Sequence, residues 1–154
     1  MRMEEDKMRF LPDSASRLWV HLVRIYNQVL RETRSFFRRY GLTPTQFDVI
    51  TCLGSQEGIT QQELSEHLSV TKGNITSLID RMERDGLVER RADPSDRRCY
   101  RLFLTRKGRR LLQRIIPAHE KQIARLFSSL SAEERALLQN LLRRLEQSLA
   151  RNEA

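Results

Sequence analysis

The sequence is poor in the residues that make staples, breaks and membrane spans. Two cysteines in 154 residues, Cys52 and Cys99, are too few for a disulfide framework and form no metal or redox motif. Six glycines and four prolines, with no repeat, exclude collagen-like and low-complexity chains. No 18-residue stretch is free of charge, so no membrane span is expected. The first ten residues mix both signs and lack the apolar run of a secretory signal, which implies a soluble, cytoplasmic protein. A P-loop, HExxH, GxSxG and any cysteine–histidine pair at catalytic spacing are all missing, so an enzyme has no support and no cofactor is expected. At 39% hydrophobic residues the chain is too apolar to be disordered, and its length suits one domain with extensions.

What is present is positive charge, unevenly spread. Lys and Arg number 28 against 20 Asp and Glu, a net charge of +8. Residues 1–40 carry +4, residues 41–104 carry −2 and residues 105–154 carry +6. Bulk charge therefore does not by itself locate a nucleic-acid surface. Within the middle third the acids Asp48, Glu57, Glu63 and Glu66 come early, whereas Arg81, Arg84, Arg90, Arg91, Arg97, Arg98 and Arg101 come late. Any nucleic-acid contact in this third is expected from its second half.

Hydrophobic spacing predicts a long helix over about 14–38, with Leu18, Leu22, Ile25, Val29 and Phe36 on a stripe widened by Trp19, Tyr26, Leu30 and Phe37. Gly41 ends it. Thr43-Pro44-Thr45-Gln46 and Thr60-Gln61-Gln62-Glu63 are capping boxes opening two further helices, the first stopping at Gly54. Ser69-Val70 makes a tight link, and Thr71 is placed to cap a fourth helix ending at Gly86. On that helix Ile75, Leu78, Ile79 and Met82 share one face, and Lys72, Asn74, Thr76, Ser77 and Arg81 lie on the other. Residues 87–91 and 100–104 read as strands joined by turn chemistry that ends in Arg97-Arg98. Thr105 starts another helix, with Leu112, Ile115, Ile116, His119, Ile123, Leu126 and Leu130 along one side and Pro117 expected to bend it. Ser131-Ala132-Glu133-Glu134 opens a last helix striped by Leu138, Leu141, Leu142, Leu145 and Leu149. The fold class is mainly α (α+β): a short helix, a tight turn, a polar-faced helix and a basic hairpin make a winged helix–turn–helix. Its second helix fits a major groove about 12 Å wide and presents side chains to base edges.

These residues resemble the MarR family of bacterial transcriptional regulators along nearly the whole chain. The matching pieces are Gly41 to Ile50, Thr60 to Leu64, Asp80 to Arg90, the wing Asp93 to Arg98, Leu104 to Gly108, and Leu130 to Glu134. The resemblance implies a homodimer in which residues 1–40 and 105–154 supply the dimerisation region and residues 41–104 the DNA-binding domain. Three terminal helices do carry more apolar stripe than one subunit can cover. It further implies a pseudo-palindromic double-stranded DNA operator, and release by a small aromatic or phenolic effector lodged between the two regions. By the resemblance, Lys72, Asn74, Thr76, Ser77 and Arg81 face the major groove. Arg98 enters the minor groove with Asp96 orienting it, beside Arg97. Trp19, Tyr26 and Asp48 are the expected ligand residues.

Blander readings stand beside these. Arg81 and Arg84 can pair with Asp80, Glu83 or Asp85, the preferred reading for Arg84. Lys107, Arg109 and Arg110 make either a phosphate contact or a solvated helix face. His119, flanked by Ile115 and Ile123, reads as a satisfied core or interface histidine, and no metal is expected. Cys52 reads as a small core residue. Two alternatives remain open: a redox-responsive regulator using Cys99, whose neighbours Arg98 and Arg101 can lower its pKa, and a winged helix used as a protein-interaction scaffold.

Overall fold

The computed structural model describes residues 14–68, 71–94 and 99–152. Its elements are α1 (Ser14–Arg38), α2 (Pro44–Ser55), β1 (Ile59–Thr60), α3 (Gln61–His67), α4 (Lys72–Arg84), β2 (Val88–Ala92), β3 (Tyr100–Leu104), α5 (Arg106–Leu126) and α6 (Ala132–Asn152). The chain divides into two compact units, one up to Ile115 and one from Ile116 onward.

Local chemistry sets most boundaries of the first unit. Thr43 and Thr60 each accept a hydrogen bond from the backbone three residues on and are bonded in return by Gln46 and Glu63, so both capping boxes form. Thr71 occupies the N-cap of α4 in extended backbone, but its side chain makes no cap hydrogen bond. The exit from α4 is fixed by Gly86 at φ +69°, a left-handed conformation that side chains with a Cβ resist. There the Gly86 amide donates to the Glu83 carbonyl and the Leu87 amide to the Met82 carbonyl, the paired bonds of a Schellman motif. Leu87 is thereby committed to the helix end, and β2 begins at Val88 rather than at Leu87. The Thr105 hydroxyl donates to the Gly86 carbonyl and accepts from the Gly108 amide, which seats the start of α5 on the same turn.

β2 and β3 pair antiparallel, with Val88 opposite Leu104 and Ala92 opposite Tyr100. A third strand, β1, lies on the other side of β3 with Ile59 opposite Leu102. The sequence does not announce β1, because two residues are too few to show an alternation. Phe36, Phe37, Phe47, Ile50, Leu53, Leu64, Ile75, Ile79, Met82, Leu102 and Leu104 are buried together with Ile115. Phe37 stacks on Phe47 with ring centroids 4.4 Å apart, tying the end of α1 to α2. The rest of α1 is different: Leu18, Trp19, Ile25 and Tyr26 are exposed.

The second unit contains the end of α5 and all of α6. Leu130 falls in the turn after Leu126, not on α5, so the expected fifth-helix stripe is shorter by one residue. The Ser131 amide donates to Glu134 and the Glu134 amide to the Ser131 hydroxyl, closing the third capping box. Ile123, Phe127, Leu137, Leu141, Leu142, Leu145 and Leu149 are all exposed. A groove of about 790 Å³ runs along Phe127, Leu138, Leu142, Leu145 and Leu149. No described helix is long and apolar enough to cross a membrane.

Candidate nucleic-acid interface

α4 is amphipathic in the way a groove-reading helix requires. Ile75, Ile79 and Met82 are at most 1% exposed, which fixes the inner face on the core of the first unit. Asn74, Thr76, Ser77 and Arg81 are exposed, so the structure brings these four sequence-predicted residues to one solvent-facing surface. Lys72 begins the helix. Ser77 spends its hydroxyl on the Gly73 carbonyl, 2.9 Å away. Asp96, Arg97 and Arg98, and the link Ser69-Val70, lie outside the described residues.

The wing is anchored at its base. The Asp93 amide donates to the Cys99 carbonyl at 2.9 Å. Asp93 itself is buried, and Arg101 reaches it through Nε at 2.6 Å. A second nitrogen of Arg101 donates to the Gly58 carbonyl at 2.8 Å, pinning the hairpin to the turn before β1. Arg101, one of the two cations expected to favour a reactive Cys99, is thus bonded to Asp93 and Gly58. Arg91 pairs with Glu89 and lies over the Phe103 ring, 4.3 Å from its centroid.

The arginine pairing on α4 differs from the sequence expectation. Arg84 donates only to the backbone carbonyl of Asp80, and among the described residues neither Arg81 nor Arg84 makes an ion pair. Asp80 and Glu83 are held instead by Arg90 on β2, at 2.6 and 2.5 Å. Arg90 also donates through Nε to Gln61 at 2.9 Å, and Gln61 donates to the Thr76 hydroxyl at 3.1 Å. Sequence reasoning counted Arg90 as one more cation and Gln61 as part of a cap. Partners 29 residues apart leave no periodic trace, so no single-sequence signal marks this network. On α5, Arg109 pairs with Glu57 at 2.7 Å and Lys107 donates to the Asp85 carbonyl at 2.7 Å, and both residues are exposed.

Asp48 lines a shallow pocket of about 410 Å³ with Thr51, Cys52, Ser55, His67 and Leu68, and neither Trp19 nor Tyr26 lines it. Burial raises the Cys52 thiol pKa above its ordinary value, in keeping with a packed rather than a reactive cysteine. His119 is half-buried on α5. Among the described residues no three His, Cys, Asp or Glu side chains are placed to hold a metal ion.

A helix pair, a polar-faced second helix and an anchored hairpin define a winged helix–turn–helix regulator. The MarR family model matches residues 42–100. YkoM, an uncharacterised HTH-type transcriptional regulator of Bacillus subtilis, is 33% identical over 132 residues, 86% of each chain. FabT of Streptococcus pneumoniae, solved in complex with DNA, superposes with a TM-score of 0.78 at 28% identity, covering 89% of this chain and 98% of its own. A cysteine-to-serine variant of MarR from E. coli, solved with operator DNA, gives a TM-score of 0.74 at 27% identity, covering 84% and 93%. The chain belongs to the MarR family of transcriptional regulators, which are not enzymes.

Proposed function

We propose that the chain is a homodimeric repressor that binds a pseudo-palindromic operator in double-stranded DNA and is released by a small aromatic or phenolic effector. The observation that carries the DNA reading is α4. About 20 Å long, it is locked inward by Ile75, Ile79 and Met82 and bears Asn74, Thr76, Ser77 and Arg81 outward. Such a helix enters a major groove and meets base edges, and by the family resemblance we assign Arg98 to the flanking minor groove. FabT and the MarR variant, whose structures contain DNA, support the same reading. In this reading residues 41–104 form the DNA-binding domain.

The dimer reading rests on apolar surface. Trp19 and Ile25 on α1, and Leu137, Leu141, Leu142, Leu145 and Leu149 on α6, are between 45% and 67% exposed. Patches of this kind on a lone chain mark association surfaces. We assign residues 1–40 and 105–154 to that association, and a second copy supplies the symmetry that a two-half-site operator demands. The effector reading rests on Trp19, Tyr26 and Asp48, and quenching of Trp19 by aromatic compounds tests it. A broad panel that neither quenches Trp19 nor changes DNA affinity refutes it.

Selection of bound duplexes from a random pool tests the DNA reading and returns the operator. On that operator, Arg98→Ala should weaken specific and random binding together and lower the salt slope by roughly one unit per subunit. Asn74→Ala should cost about 1–3 kcal/mol per affected contact on operator and little on random DNA. No enrichment from the pool, or two silent mutants, refutes the assignment.

A further inference from the structure

We propose that Arg90, acting through Asp80, Glu83 and Gln61, is the positioning residue that fixes the rotational setting of α4 against the groove. The proposal rests on the DNA reading above and deepens it. Arg90 stands on β2, outside α4, with its side chain only 16% exposed. All three guanidinium nitrogens are used: Nε on Gln61, one terminal nitrogen on Asp80 and the other on Glu83. Its backbone amide donates to Glu83 as well, at 3.2 Å. A guanidinium so engaged cannot reach a phosphate without breaking these bonds. Its work is internal.

The geometry says what that work is. Thr76, Asp80 and Glu83 are spaced four and three residues apart, so they form one stripe along two turns of α4. Arg90 grips the lower two directly. It reaches the third through Gln61, whose carbonyl oxygen accepts from Arg90 and whose amide nitrogen donates to Thr76. Because the Arg90 donor must face the Gln61 oxygen, the amide orientation is determined and its donor end is aimed at Thr76. The stripe beside it carries Asn74, Ser77 and Arg81, which together with Thr76 itself are the described side chains expected to face the groove. A helix roll of about 20° moves a side-chain tip lying ~5 Å from the axis by about 2 Å, enough to break a hydrogen bond. The buried face alone resists such a roll only through apolar packing, which has no directional bonds. The Arg90 stripe supplies them. The planar fork matters here, since one ammonium cannot reproduce three fixed donor directions.

The same contacts keep two carboxylates of the reading helix neutralised. Asp80 and Glu83 are 52% and 40% exposed at the side chain, and unpaired they would face a polyanion.

The test compares affinities for the selected operator and a scrambled duplex, titrated against salt, for the full chain and for Arg90→Lys, Gln61→Ala, Thr76→Ala and Gln61→Ala with Thr76→Ala. Gln61→Ala should lower the operator-to-scrambled ratio about tenfold, leaving scrambled affinity and salt slope unchanged, and Arg90→Lys should lower the ratio at least as far. Gln61→Ala should add nothing once Thr76 is alanine. Gln61→Ala keeps every charge, so it reports on positioning even where Arg90→Lys folds poorly. Ratios that stay at the wild-type value overturn the proposal. So do operator and scrambled affinities that fall in step, or a Gln61→Ala effect that persists in full without the Thr76 hydroxyl. A wild-type chain that prefers no duplex overturns the DNA reading beneath it, a result distinct from all of these.

Discussion

Arg101→Met tests whether the wing is held by its base. In the structure this side chain donates to Asp93 at 2.6 Å and to the Gly58 carbonyl at 2.8 Å. Hydrogen bonds to charged groups are worth about 1.5–3 kcal/mol each. The Arg101 side chain is 43% exposed, so water recovers part of what it loses, whereas Asp93 is 7% exposed and recovers little. The net cost should be about 2 kcal/mol. For a chain of this size that lowers the thermal midpoint by about 4–8 °C at fixed protomer concentration. Urea unfolding measures the loss directly, and Asp93→Asn in the Arg101→Met background should return about half of it, because the buried charge goes with its partner. The loosened hairpin should also weaken binding to operator and random DNA alike. A loss under about 0.5 kcal/mol, or strictly additive effects of the two substitutions, refutes the argument.

Replacing Leu142 and Leu145 by Asp should abolish dimers in sedimentation or light scattering, each charge buried at an interface costing several kcal/mol; a wild-type chain that stays monomeric at micromolar concentration contradicts the dimer. Gly108→Ala should destabilise by about 1–2 kcal/mol in denaturant, since a Cβ there would sit 2.2 Å from the Leu87 carbonyl oxygen, and overpacking outweighs the helix-propensity gain of about 1 kcal/mol. A more stable alanine variant would show that the close approach is absent. The Thr60 amide and hydroxyl, both bonded to Glu63, hold its carboxyl below the ordinary glutamate range. A lowered folded-state pKa means the cap contributes fully at neutral pH and is lost as pH falls through that value, so Glu63→Gln should flatten the acid limb of stability. An unchanged acid limb would show that Glu63 is not coupled to folding.

What the sequence makes legible follows from how local each cause is. Capping boxes act over three residues, and those at Thr43, Thr60 and Ser131 form as the sequence predicts. Helical stripes act over three to seven residues, and the two faces of α4 are where spacing puts them. Thr71 has the right residue type and backbone for a cap, yet makes no side-chain bond, because position alone does not guarantee a donor in reach. β1 escapes notice because it exists only as a partner for β3. The Arg90 network escapes for the same reason at longer range: Gln61, Asp80 and Glu83 become its neighbours only after α3, α4 and β2 have packed. The grouping of Asp48 with the α1 aromatics comes from family geometry, which no local spacing in the sequence encodes, and Asp48 itself lines a pocket with α2 and α3 residues.

Charge gives the clearest case of pattern overriding composition. Residues 41–104 carry a net −2, an awkward balance for a surface that meets phosphates. The fold resolves it by pairing inward. Arg90 takes Asp80 and Glu83, Arg91 takes Glu89, Arg101 takes Asp93, and Arg109 from α5 takes Glu57. Five acids of this segment are thus paired with cations of the fold. Arg81 and Arg84 on α4 are left outside those pairs. A polyanion responds to the local field and not to the segment's sum, because screening confines it to about 10 Å at ordinary salt. The net charge therefore understates the interface for a physical reason. Most of the arginines in 41–104 whose side chains are described build the platform, and a minority are available to meet its ligand.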